Sequence, residues 1–266
     1  MKPEIHVNIA VKDLKSEDLS FLAHQNLHPE LYFAGDVIDA LSADKLDALI
    51  KEVANGAFSP SLHGPFYDLN LGALDPKIRE ISIERVLWSL ETARRFKATQ
   101  VVVHPGYTTP ILARSFPLWL ERAREGLKRI TAKGEELGVR IAFENTYDQN
   151  PSALLNLLHG LPTAFAGVCF DIGHFNLHSQ TTLREWLDTL NSRIFEVHLH
   201  DNLGADDDHI AIGDGTVKFQ PLFTWLLKQE KLPLLTLEME QKTHVIKSIP
   251  RVREWLGLSN EVADRS

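Results

Sequence analysis

Short apolar, β-branched runs alternate along the chain with longer stretches in which apolar residues recur at helical spacing. The runs predict strands over 5–10, 30–34, 59–65, 100–104, 140–144, 167–171, 194–200 and 232–238. Several are apolar at consecutive positions, as in Val101-Val102-Val103, which suits parallel strands covered on both faces. Between them, Ser42 is placed to cap a helix whose stripe is Leu46, Leu49, Ile50 and Val53, and Asn55-Gly56 stops it. Asp75-Pro76 opens another with Ile83, Val86, Leu87 and Leu90 inside, and Leu120, Ala123, Leu127 and Ile130 stripe a third that ends near Gly138. Eight βα units closing on themselves predict an α/β chain with one (β/α)8 TIM barrel over 1–257 and a polar tail over 258–266. An open doubly wound sheet is the alternative, but no G-x-G-x-x-G follows the first strand.

In such a barrel the site lies at the C-terminal ends of the strands. The third to eighth strands all end in a metal-capable side chain: His63, His104, Glu144, Asp171, His198 and Glu238. Alternation puts Glu144 on the face of Ala142, Asp171 on that of Cys169 and His104 on that of Val102, all toward the interior. Taken singly, each would be read as a cap or a hydrogen-bonded barrel residue. Three inward carboxylates at one mouth, however, repel one another and are costly to bury without a cation. A divalent metal is the simplest compensation. His174, three residues past Asp171, can turn back over the site, and Gly213-Asp214-Gly215 can hold His209 above it, with Asp207 nearby in the same acidic loop.

The remaining features narrow the partners. The 266 residues carry a net charge of -8, which speaks against a broadly basic nucleic-acid surface. No run is long and apolar enough to cross a membrane, and the first residues enter a strand pattern with no leader core. One cysteine suits a reducing compartment, so a cytoplasmic protein is expected. Cys169 reads as a small filler of the barrel, and Trp186, Trp225 and Trp255 as packing of the outer helices. His24, His28, His159 and His178 read as surface residues. Phe66 and Tyr67 are placed to wall a sugar site.

The stretches His63-Gly64-Pro65, His104-Pro105-Gly106, Phe143-Glu144-Asn145, Cys169-Phe170-Asp171-Ile172-Gly173-His174, His198-Leu199-His200-Asp201-Asn202, Asp207-Asp208-His209 and Leu237-Glu238 resemble, in order and spacing, the xylose isomerase-like TIM-barrel superfamily. That superfamily includes sugar isomerases and epimerases and the endonuclease IV type of apurinic-site enzyme (AP endonuclease family 2). The first branch implies one Mn²⁺ or Mg²⁺ held by Glu144, Asp171, His198 and Glu238. Glu144 and Glu238 would then move a proton through an enediolate, with Asn145, His174 and His200 on the substrate. The second branch implies two to three Zn²⁺, with His63, His104, His174, Asp207 and His209 completing the set.

Oxygen-rich ligation suits Mn²⁺ or Mg²⁺ and nitrogen-rich ligation suits zinc, and both occur here. The loops decide the preference. Ala34-Gly35-Asp36 after the second strand, Lys12 and Lys15 after the first, and Thr108-Thr109-Pro110 with Arg114 after the fourth are sparse equipment for a DNA duplex. A small-molecule sugar or sugar phosphate is therefore preferred over a nucleic acid. The zinc-dependent phosphoesterase stands as the alternative, and a non-catalytic carbohydrate-binding barrel as a third reading.

Overall fold

The computed structural model describes residues 3–107 and 115–258. The loop residues Thr108-Thr109-Pro110 and Arg114, and all of the expected tail but Leu258, lie outside them.

Eight parallel strands close into a barrel in sequence order: β1 (Ile5–Ala10), β2 (His28–Tyr32), β3 (Ser61–His63), β4 (Gln100–Val103), β5 (Arg140–Glu144), β6 (Ala166–Asp171), β7 (Ile194–Leu199) and β8 (Leu234–Leu237). β8 pairs back onto β1 through Ile5↔Leu235 to Val7↔Leu237. Helices fill the connections, the longest being Pro76–Phe96 and Phe116–Leu137. The caps are those expected. Ser42 accepts from the Lys45 amide, and Asp75 from Lys77 and Ile78 with Pro76 at the first turn. Gly138 ends the second long helix at φ 69°, a left-handed conformation that glycine adopts without a Cβ clash.

β2 and β3 depart most from expectation; β8 is shorter by two residues at its start and one at its end, and β4, β6 and β7 each differ by one residue. β2 begins two residues early, because His28 pairs with His6 and Phe33 leaves the sheet to pack against Trp88 and Phe96. β3 shrinks to three residues because Pro60 and Pro65 bracket it, and neither has an amide for the ladder.

The two faces of the barrel wall are unlike. Val101, Val103, Ile141, Phe143, Val168 and Phe170 face outward into the large core shared with the helices. Val102, Ala142, Cys169 and Phe195 form a small separate cluster inside. The rest of the buried interior is polar: His6, Glu30, Ser61, Gln100, Glu196, His198 and Thr236. Register shifts at Val168/Cys169, where Ile194 pairs with Val168 but Glu196 pairs with Cys169. The extra residue of this bulge lets both Phe195 and Glu196 turn inward and brings His198 opposite Asp171.

Candidate metal centre

Each candidate ligand sits at or next to a strand end. His63, Glu144 and Asp171 close β3, β5 and β6; His104 and Glu238 follow β4 and β8 by one residue; His198 is the next-to-last residue of β7. Asp171 also caps the helix Ile172–His178, accepting from the His174 amide at 2.5 Å, which folds His174 back over the mouth. Asp207 and His209 come from the loop after β7. Asp201 organises that loop by accepting from the amides of Gly213, Gly215 and Val217. Gly213 has φ 88° and His209 φ 46°, so the chain doubles back and lays the His209 ring flat on His200, centroids 3.9 Å apart.

All nine candidates meet in one cluster, and Glu144 is its hub. Its Oε2 lies 3.2 Å from His63 Nε2 and 2.9 Å from His104 Nε2; its Oε1 lies 3.2 Å from His174 Nδ1 and 3.6 Å from His198 Nδ1. Asp207 Oδ2 joins His174 Nε2 (3.1 Å) and His209 Nε2 (3.0 Å), and Glu238 Oε2 reaches His198 Nδ1 at 2.9 Å. Among the described residues several groups have the spacing to hold an ion; they include Glu144/Asp171/His198/Glu238, His63/His104/Glu144, which shares Glu144 with it, and His174/His200/Asp207/His209.

Two observations test whether a cation fits. First, Glu144 Oε1, His198 Nδ1 and Glu238 Oε2 are buried and make no hydrogen bond of full geometry, although the last two lie 2.9 Å apart, and all three belong to the first group. Buried polar atoms are rarely left so, and one ion would satisfy them together. Second, His63, His174 and His209 each pair Nδ1 with a main-chain carbonyl, of Gly64 (2.8 Å), Asn145 (2.9 Å) and Glu238 (2.8 Å). Donation from Nδ1 leaves the Nε2 lone pair facing the carboxylates, the usual tautomer of a ligating histidine. The residues fit a divalent ion.

The carboxylates and histidines also set one another's protonation. Burial alone would lower the His63 pKa, but contact with Glu144 and the charges of Glu144, Glu30 and Glu238 raise it to about 9. His209 is likewise opposed by burial and raised to about 9 by Asp207 and Glu238. Burial works against ionisation of Asp207, yet hydrogen bonds from His174 and His209 hold its carboxyl well below the usual range. Burial similarly opposes the charge on Glu238, and His198 pulls it down.

The residues expected around a substrate have definite places. Asn145 is buried, and its amide clasps the Asp171 backbone, accepting from Asp171 N (2.8 Å) and donating to Asp171 O (2.9 Å). His200 is buried too, with Nε2 3.1 Å from Asp171 Oδ2. Gly173 makes room for it, since a Cβ there would stand 2.0 Å from His200 Cε1. Phe66 stacks on His104 at 4.5 Å and on Tyr32 at 5.2 Å, and Tyr67 is 74% exposed beside it.

Two buried carboxyls escaped the reading of strand ends. Glu30 and Glu196 lie one tier below the mouth, where Asn8 donates to Glu30 (2.9 Å) and Gln100 and Thr236 donate to Glu196. Burial, with the Glu30 carboxylate close by, pushes the Glu196 carboxyl up to about 8. Alternation back from His198 would have pointed to Glu196, and Glu30 lies within the predicted second strand.

A cleft of about 790 Å³ opens on the β1–β2 side and meets the cluster at His63, His209 and Glu238. Its walls include Asn8, Tyr32, Phe66 and Tyr67, and farther out Lys12, Asp13, Asp18, Asp36, Glu240 and Lys242. Lys242 is paired with Asp18 at 2.8 Å.

A family model described as xylose isomerase-like TIM barrel matches residues 25–257. The chain is 28% identical over 207 residues to the uncharacterized protein MJ1311 of Methanocaldococcus jannaschii, covering 75% of this chain and 71% of that one. Among solved structures, a D-tagatose 3-epimerase-like protein superposes with TM-score 0.84 at 25% identity, over 96% of this chain and 97% of that one. Endonuclease IV from Thermus thermophilus superposes with TM-score 0.68 at 21% identity, over 96% and 99%, a likeness of fold.

Proposed function

The chain belongs to the xylose isomerase-like TIM-barrel family, and from that premise we propose that it is a divalent-metal-dependent sugar isomerase or epimerase. The observation behind this reading is the double position of Glu238. It belongs to the four-residue ligand group and also lines the cleft, so a sugar filling the cleft lies against any ion held there.

The cleft has the volume of a small-ligand site. Tyr32, Phe66 and Tyr67 offer ring faces to a sugar. On the outer wall Asp13, Asp36 and Glu240 face Lys12 and a Lys242 already paired to Asp18, a balance that suits an uncharged sugar better than a phosphorylated one. A bound Mn²⁺ or Mg²⁺ would polarise a sugar carbonyl and acidify the adjacent C–H.

The two glutamates that would handle the proton are unequally placed. The Glu238 side chain is 16% exposed and reaches the cleft, whereas that of Glu144 is 1% exposed behind His63 and His104. Glu238 is thus the residue that takes the proton from a sugar in the cleft. Glu144 shapes the ligand set and returns the proton from the inner side. Asn145 and His200 act through Asp171, whose backbone and carboxylate they hold.

One observation favours a second reading. Glu144 presents a different oxygen to each of two histidine pairs, and His174, His200, Asp207 and His209 make a third group. That arrangement suits two or three Zn²⁺ and a phosphoesterase. Metal content and isotope exchange separate the two readings. Protein purified without chelator is assayed for bound metal, then incubated with ketoses in deuterated water and followed by NMR. About one ion per chain and deuterium entering beside the carbonyl are expected. Two or three zinc ions, phosphodiester cleavage and no C–H exchange would overturn the isomerase reading.

A further inference from the structure

β2 gives no side chain to the ligand groups at the mouth, yet it reaches one of them from beneath. Glu30 is fully buried inside the barrel. Its Oε1 accepts from Asn8 Nδ2 at 2.9 Å and its Oε2 from Ser61 Oγ at 3.4 Å. His198 Nε2 stands 3.3 Å from that same Oε1, with Glu196 Oε1 next at 3.8 Å. The other ring nitrogen, Nδ1, faces Glu238 at 2.9 Å, Glu144 at 3.6 Å and Asp171 at 3.9 Å.

His198 is thereby the reverse of its neighbours. His63 and His209 pair Nδ1 with main-chain carbonyls and turn Nε2 toward the carboxylates, and His174 does the same toward Asp207 although its Nδ1 also lies 3.2 Å from Glu144. His198 turns Nδ1 toward the carboxylates, and both of its buried ring nitrogens lack a hydrogen bond of full geometry. A ligating imidazole needs its second nitrogen held, or ring orientation and tautomer are both left free.

We propose that Glu30 is the positioning residue of His198: it takes the Nε2–H, fixes the tautomer with the lone pair on Nδ1, and aims that atom at a divalent ion shared with Glu144, Asp171 and Glu238. The proposal rests on the metal reading above. A small rotation of the ring completes Nε2–H···Oε1, and an ion on Nδ1 then satisfies the other orphaned nitrogen. A carboxylate partner also makes the imidazole a stronger donor to the ion than a carbonyl partner does. Asn8 ties this support to the substrate side, since it lines the cleft while donating to Glu30.

The test is direct Mn²⁺ and Zn²⁺ titration by calorimetry on wild type, Glu30→Gln and Glu30→Ala, with circular dichroism to check the fold. Affinity is expected to fall about 10- to 100-fold in Glu30→Ala, with partial recovery in Glu30→Gln, which keeps an acceptor oxygen. Folded variants that bind within twofold of wild type would overturn the proposal and leave the metal reading standing. A wild-type chain that takes up neither ion would overturn both. If the variants do not fold, ¹⁵N-histidine spectra of the Zn²⁺-loaded wild type decide, with His198 identified by its loss in His198→Asn. An Nε2–H tautomer supports the assignment, and an Nδ1–H tautomer sinks it.

Discussion

From β3 round to β8, every strand brings a metal-capable side chain to the mouth, and these side chains crowd into contact. β1 and β2 bring Asn8, Ala10 and Tyr32 instead, and the cleft opens over them. Chemistry and room are therefore supplied by different arcs of one ring. The crowded arc is held by charge, through carboxylates and histidines that need protons or a metal between them. The open arc is held by ring packing, Phe66 on Tyr32 and on His104. A substitution among the ligands of the first should change metal content and turnover together, and one among the rings that wall the second should change substrate affinity alone.

The strongest test of that division is Glu144→Gln, which removes the charge facing four histidines. It is expected to abolish turnover and to strip most of the bound metal while the far-ultraviolet dichroism stays that of wild type. Metal retained at wild-type level with normal turnover would break the division at its centre.

A smaller effect follows from the protonation of the histidines. The folded-state pKa values of His63 and His209, both about 9, lie above the ordinary value of 6.5. A raised pKa of this kind contributes stability that is fully present below about pH 6.5 and is lost as pH rises through about 9. Metal-stripped protein should therefore lose several degrees of melting temperature across that window. Metal-loaded protein should lose less, because a cation on Glu144 and Glu238 offsets the negative charge that raises both values. Parallel melting curves for the two forms over the window would show that these histidines do not face the site as described.

The mildest effect belongs to the open arc. Phe66→Ala should raise KM by up to about tenfold, the scale of one lost ring contact, with metal content and kcat near wild type. A fall in metal content instead would mean that Phe66 serves His104 more than the substrate.

Much of this plan was legible because a barrel strand has a simple code. Period-two alternation and a polar residue at the run's end located His63, Glu144 and Asp171 at strand termini, and the glycines at 213 and 215 pointed to a loop that carries His209 back. The cleft was legible only in part, through Phe66 and Tyr67, since its other walls come from loops whose contacts no local pattern encodes. Glu30 and Glu196 were passed over for a different reason. A buried carboxyl in mid-strand is expensive unless tertiary partners satisfy it, and Asn8, Ser61, Gln100 and Thr236 come from other strands. The family resemblance implies Asn145 as a substrate contact. Its amide is committed to the Asp171 backbone, a pairing visible only once β5 and β6 lie side by side.

The bulge at Phe195 gives β7 an unusual sensitivity to length. Seven strands can be read by counting in twos, but here the count breaks, and His198 points inward because one residue more than the partner strand requires lies below it. Loops that carry no candidate ligand can lengthen or shorten and leave the strand-end ligands where they are. Removing one residue between Ile194 and Glu196 would instead swap inside for outside along the stretch below His198, or force the whole strand to slide. Among family members with this bulge, β7 should tolerate changes of residue more readily than changes of number.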